Sequence, residues 1–164
     1  MRCAWSQYER MQEAYPNALV CARQSSELRA PERATLKNLE RLQGAVAIRF
    51  QYVREDRDIW HVHKVENALI KGDCDDLAWT VLEQLLAEGW PRELLWSAIV
   101  NTDSVDGFTP HMVAVADLVD GKRYVAADSK RMLVHPIEKS RHTFYMAMNM
   151  ARLGQVELRN LKDS

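Results

Sequence analysis

Apolar residues recur along this chain at helical spacing in its first half and by alternation in its second. Trp5, Tyr8, Met11 and Tyr15 are spaced for a helix that Pro16 ends. After the polar break Gln24-Ser25-Ser26, Pro31 suits an early helical position, and Leu36, Leu39, Leu42 and Val46 form one stripe. A second helix is expected over about 32–48. Phe50 and Tyr52 read as anchors of a short connector, and the charged run 54–58 as a solvated loop. Gly72-Asp73 then interrupts the chain before Cys74. Leu77, Ala78, Val81, Leu82, Leu85 and Leu86 line one face of a helix that runs to Gly89 and Pro91.

Beyond Pro91 the period changes. Leu94–Asn101 reads as a strand with Leu94, Trp96, Ala98 and Val100 on one side. Residues 102–110 are rich in turn formers and read as a loop. His111–Ala116 and Lys122–Asp128 read as strands joined by Asp120-Gly121, a two-residue hairpin signal. Phe144, Met146, Met148 and Met150 alternate like a strand, although a helix fits the same residues. Helices followed by an antiparallel sheet make an α+β fold with the central helix packed on the sheet.

A length of 164 residues suits one domain, expected to span 1–164 with a helical extension at 1–30 and a catalytic core at 31–164. The net charge of −1 gives no bulk attraction to nucleic acid, so no nucleic-acid partner is expected. No run is apolar and long enough for a signal peptide or a membrane span, so the expected location is cytoplasmic, with no membrane partner. Cys3, Cys21 and Cys74 are odd in number and widely spaced, which fits free thiols in a reducing compartment.

Of the three thiols, Cys74 is placed for chemistry. At a helix N-terminus it faces unsatisfied backbone N–H groups and the positive end of the helix dipole, which favour thiolate and can hold an oxyanion. An isolated cysteine there also fits as a small buried residue. His111 and Asp128 shift that balance. With Asp120-Gly121 as the central turn residues, Val113 opposes Asp128 and His111 opposes Lys130. His111 and Asp128 then share a face as diagonal neighbours, roughly 7–8 Å apart along the backbone and within side-chain reach. An imidazole held by a carboxylate is the base and orienter of a triad. A change of one residue in the turn would put them on opposite faces.

The run Gly72-Asp73-Cys74-Asp75-Asp76-Leu77-Ala78, preceded by Trp60 and Glu66, resembles the nucleophile motif of the bacterial transglutaminase-like cysteine peptidases, a Gly-Asp-Cys-Glu-Asp run that opens a helix. Thr109-Pro110-His111-Met112-Val113 is similar to the family's His-bearing strand, and Ala127-Asp128-Ser129 to its Asp-bearing one. The resemblance covers about residues 35–135. It implies a papain-like, transglutaminase-like fold and peptide-bond hydrolysis through a Cys74 thioester, with His111 as base, Asp128 as orienter and a protein or peptide as substrate. The best-known members are periplasmic proteases that release large surface adhesins and need calcium. This chain is shorter, and Asp75 stands where the family usually has Glu. Small relatives without an export signal, the group this chain matches in length, are also encoded by bacteriophages and prophages.

Asp73, Asp75 and Asp76 surround a group that must become an anion. Like charges ~5 Å apart repel by about 1–3 kcal/mol at effective dielectrics of 20–80. Two readings follow: the carboxylates cap the helix and point away, or Asp73 and Asp75 hold Ca²⁺ through oxygen. Capping is the preferred reading, with no cofactor required. The run lacks the spacing of an EF-hand loop. Trp60 is a candidate for the cleft wall or an oxyanion donor, with a core role favoured; His61 and His63 read as a partly exposed pair, and Met146–Met150 as core. Two other functions compete with peptidase action: amide acyl transfer, in which an amine captures the same thioester, and protein binding without catalysis. An intact set of Cys, His and Asp weighs against the last.

Overall fold

The stripe Leu39, Leu42 and Val46 is buried on helix α1, Leu36–Ala47, in a computed structural model that describes residues 29–54, 69–102, 109–152 and 155–163. Thr35 caps α1, its side chain accepting from the Asn38 backbone N–H at 3.3 Å. A short 3-10 turn, Pro31–Arg33, precedes it. Helix α2, Cys74–Ala87, buries Leu77, Ala78, Val81, Leu82, Leu85 and Leu86, the face its apolar spacing predicts, and Gly89 follows with φ 89°. The expected helix over 5–15, the segment with Trp60, His61 and His63, and most of the loop at 102–110 lie outside the described residues.

Strands β1, Phe50–Tyr52, and β2, Ile70–Gly72, form a short parallel pair where the sequence pattern predicts only a connector. Phe50 packs on the core as expected, whereas Tyr52 is 55% exposed. The main sheet contains β3, Leu95–Asn101; β4, Pro110–Asp117; β5, Arg123–Ala126; β6, His135–Pro136; β7, Thr143–Asn149; and β8, Val156–Leu158. Its order is β6-β5-β4-β3-β7-β8, and every pair is antiparallel. The Met-rich alternation is therefore strand, with Met146 and Met148 fully buried.

Alternation, broken once in the β3–β7 pairing by a register shift between Ile99 and Val100, divides the sheet's side chains between two clusters. Ile99, Met112, Ala114, Ala116, Met146 and Met148 pack with α1 and α2 on one face; Trp96, Ala98, Val100, Val113, Val115 and Phe144 pack together on the other. The architecture is the expected α+β one. No helix of the described residues is long and apolar enough to cross a membrane.

The β4–β5 hairpin corrects the predicted register. Asp117 pairs with Arg123 and Ala114 with Ala126, one residue out of step with a turn centred on Asp120-Gly121. The Gly121 N–H donates to the Leu118 carbonyl at 3.0 Å and the Leu118 N–H to the Lys122 carbonyl at 2.8 Å. The loop is Val119-Asp120-Gly121, with Gly121 at φ 82°. Asp-Gly serves a three-residue loop with a left-handed glycine as readily as a two-residue turn.

Gly72, where β2 meets α2, is closely approached: a Cβ there would lie 2.7 Å from Asp76 Cβ and 2.8 Å from its Cγ. Gly72→Ala is expected to destabilise the protein by about 1–3 kcal/mol through overpacking. Gly44 lies inside α1, and an alanine methyl there would meet nothing within 4 Å. Gly44→Ala is expected to stabilise by about 0.5–1 kcal/mol. Urea denaturation checks both signs.

Candidate active site

Cys74 is the first residue of α2, as its Gly-Asp preface predicts. Asp73 is the N-cap. Its carboxylate accepts from the Asp75 N–H at 3.3 Å, and Asp76 Oδ2 accepts from the Asp73 N–H at 3.3 Å, which closes a capping box. Two of the three acidic residues are thus committed to helix capping. Asp75 is buried, and Asp73, Cys74 and Asp75 each offer a potential ligand atom within 4.8 Å of the others. Two carboxylates at that separation fit part of an oxygen shell for a hard cation such as calcium, although the sulfur between them does not belong in one.

The Cys74 side chain is half-buried and packs against the α2 side of the core. Burial is the main cause that pushes its thiol up to about 12, with Asp75 and Asp73 adding to the rise. The Met112 backbone N–H donates to the sulfur and pulls the other way. The helix terminus therefore does not make a resting thiolate, and burial outweighs the acidic neighbours that the sequence pattern presents as the main cost. β5 stops opposite Ala114, so residues 110–113 of β4 run on beside β3 alone. At that open end the sulfur meets Met112, next in the chain to His111.

His111 and Asp128 are in contact. Asp128 Oδ1 accepts from His111 Nε2–H at 2.9 Å, and both residues are buried. The contact arises differently from the predicted one. In the observed register, continued alternation would put Asp128 opposite Met112, on the face away from His111. Ala127 breaks the alternation with φ 53°, a left-handed conformation uncommon for a residue with a Cβ. Its N–H donates to Gln43 Oε1 of α1 at 2.6 Å, a buried hydrogen bond.

A second imidazole completes the cluster. His142 Nε2–H donates to Asp128 Oδ2 at 2.7 Å, and the His111 and His142 rings lie 5.5 Å apart. The Lys130 N–H also donates to Asp128 Oδ1, at 3.1 Å. Burial alone would raise the Asp128 carboxyl; the hydrogen bonds from His111 and His142 outweigh it and hold the group well below the usual carboxylate range. His111, Asp128 and His142 also offer atoms within 4.8 Å of one another, but the nitrogens aim at the carboxylate, so this is a hydrogen-bonded trio.

Sequence reasoning misses His142 and Gln43. His142 precedes Phe144 by two residues, and Phe144 pairs with Val100, which in turn pairs with His111. Simple alternation would put His142 on the face of Met146 and Met148, away from His111; a register shift between Ile99 and Val100 turns Phe144, and His142 with it, to the other face. Only the docking of β7 beside β3 brings it near His111. Gln43 merely interrupts the apolar face of α1, a position with no chemical signal of its own. Trp60 lies outside the described residues.

A cysteine at the N-terminus of a helix packed on an antiparallel sheet, with a buried His–Asp pair carried by that sheet, is the arrangement of a papain-like, transglutaminase-like fold. The chain belongs to the bacterial transglutaminase-like cysteine proteinase family, whose sequence profile matches residues 5–157. It is similar in fold to Legionella pneumophila LapG in a calcium-bound structure, with 19% identity, coverage of 79% of this chain and 70% of that one, and a TM-score of 0.57. An EGTA-treated structure of Legionella pneumophila LapG is 16% identical, covers 94% of this chain and 90% of that one, and has a TM-score of 0.54. No curated protein matches the chain.

An unfolded aspartate titrates near about 3.9. With its folded value depressed, Asp128 stabilises the protein fully above that pH and loses the contribution as pH falls toward the folded value. The stability difference between wild type and Asp128→Asn is therefore expected to be widest near neutrality and to narrow below about pH 4. Urea denaturation at several pH values measures it; a gap that stays constant into acid contradicts the assignment.

Proposed function

We propose that this protein is a cysteine peptidase in which Cys74 is the nucleophile, His111 the general base and Asp128 the group that orients it. The observation that carries this reading is the buried His111–Asp128 hydrogen bond one residue from Met112, whose N–H holds the Cys74 sulfur. His111 Nε2 is committed to Asp128, so Nδ1 is the nitrogen left to exchange protons.

The neutral thiol requires that proton transfer accompany attack. His111 takes the Cys74 proton as the sulfur adds to the peptide carbonyl carbon. The oxyanion is met by N–H groups at the start of α2. His111, now an imidazolium stabilised by Asp128, gives its proton to the departing amine and leaves a thioester. Water activated by His111 then hydrolyses the thioester. The substrate class is a polypeptide. The odd, widely spaced cysteines favour a reducing compartment for this chemistry.

Asp73 and Asp75 are the residues that would hold a calcium ion. Bound there, calcium would offset the negative charge that raises the Cys74 thiol. Asp73 also serves as the helix cap, so capping and ion binding are compatible roles for one carboxylate with two oxygens.

The roles predict a ranking of variants on a quenched-fluorescent peptide library. Cys74→Ala is expected to reduce turnover to background, and His111→Ala to reduce it by roughly 10³-fold. Asp128→Asn is expected to be milder than either, because it misorients the base without removing it. Turnover that persists in Cys74→Ala would show that the nucleophile lies elsewhere.

A further inference from the structure

Asp128 and His142 border a cleft of about 730 Å³ whose lining does not include His111. Lys130, Arg131, Lys139 and Arg141 line it together with Ser140 and His142. The four cationic residues are exposed, and among the described residues none of them forms an ion pair. With 22 Lys and Arg against 23 Asp and Glu in the whole chain, such a grouping does not follow from composition. The carboxylate in the lining, Asp128, does not neutralise it. Asp128 is 1% exposed and its oxygens accept from His111, His142 and the Lys130 N–H.

His142 supplies a second, independent sign of a ligand. It is 8% exposed, and its Nδ1 is buried with no hydrogen-bond partner among the described residues. Buried polar atoms left unpaired are rare and costly, so this one marks a place where a partner belongs. With Nε2–H given to Asp128, Nδ1 of a neutral ring is an acceptor and needs a donor. A phosphate dianion brings no donor. A peptide brings backbone N–H groups for Nδ1, and acidic side chains bring carboxylates for the four cations. The volume lies within the range of about 300–1,000 Å³ typical of pockets for small ligands, far more than one inorganic anion fills.

We propose that this basic cleft is a specificity subsite that receives an acidic segment of the polypeptide substrate. The assignment rests on the peptidase reading above, and it places Asp and Glu side chains of the substrate against Lys139, Arg141, Arg131 and Lys130. The Asp128 carboxylate joins the two regions, holding His111 through one oxygen and the cleft-lining His142 through the other. An occupant of the cleft therefore lies one carboxylate away from the base.

The test is calorimetric titration of the full chain carrying Cys74→Ala, so that binding is read without cleavage. The probes are a Glu-Gly repeat octapeptide, the matching Gln-Gly octapeptide and inorganic pyrophosphate. The Glu peptide is expected to bind with an affinity that falls as salt is raised, and to bind roughly tenfold or more tightly than the Gln peptide. A Lys139→Gln, Arg141→Gln double variant, both exposed positions, is expected to lose roughly tenfold or more of that affinity. Equal binding of the two peptides, an unchanged double variant, or binding of pyrophosphate without the Glu peptide overturns the subsite. Library cleavage by the wild-type chain is measured in parallel. Cys74-dependent cleavage without binding of the Glu peptide overturns the subsite and leaves the peptidase reading intact; binding of the Glu peptide by a chain that cleaves nothing overturns the peptidase reading instead.

Discussion

A charged carboxylate buried between two imidazoles is the constraint on which the rest of this structure depends. Burying an unpaired charge is very costly, so Asp128 is tolerable only with its donors in place. One comes from β4 and one from the residue just before β7, on opposite sides of β3, and the third from the turn that follows Asp128 itself. The chain must therefore leave β5 at the right residue and in the right direction. Ala127 turns it by adopting a left-handed φ, and Gln43 holds the Ala127 amide from α1. Through Gln43, α1 thus holds the backbone that leads into the His111–Asp128 pair.

The second constraint is at the start of α2. The same backbone N–H groups serve as helix-capping donors and as potential oxyanion donors, and two carboxylates have claimed part of that capacity. Capping by Asp73 and Asp76 anchors the helix end that carries Cys74. The local negative charge and burial together leave the sulfur protonated at rest. A site of this kind works by coupled proton transfer from a thiol, so its competence depends on the base. In the proposed mechanism that links Cys74 back to Asp128, whose carboxylate is hydrogen-bonded to His111.

The helices, the long strands and the position of Cys74 are legible in the sequence because each has a local signal: a 3.6-residue apolar period, strict alternation, or the Gly-Asp punctuation before a helix. The short strands β1, β2, β6 and β8, two or three residues each, carry no such period. The pairing of His111 with Asp128 follows from the sequence only through a register that is off by one. The error comes from the ambiguity of Asp-Gly, and its consequence is cancelled by Ala127, whose left-handed backbone no composition rule signals. His142 is illegible for a different reason: its proximity to His111 is set by which strand docks beside β3, a tertiary choice. Gln43 looks like a polar interruption of an apolar stripe, and its partner is 84 residues away.

Central to the proposed mechanism is His111 as the base for a Cys74 that is otherwise a neutral thiol. The most direct measurement is the pH dependence of Cys74 alkylation by iodoacetamide, read by peptide mass spectrometry so that Cys3 and Cys21 are scored separately, in the wild-type chain and in His111→Ala. The wild type is predicted to show a reactive limb well below the alkaline range set by the buried thiol, because His111 takes the proton. In His111→Ala that limb should vanish, leaving reactivity that rises only toward the alkaline range set by the buried thiol. Superimposable profiles in the two proteins would contradict it.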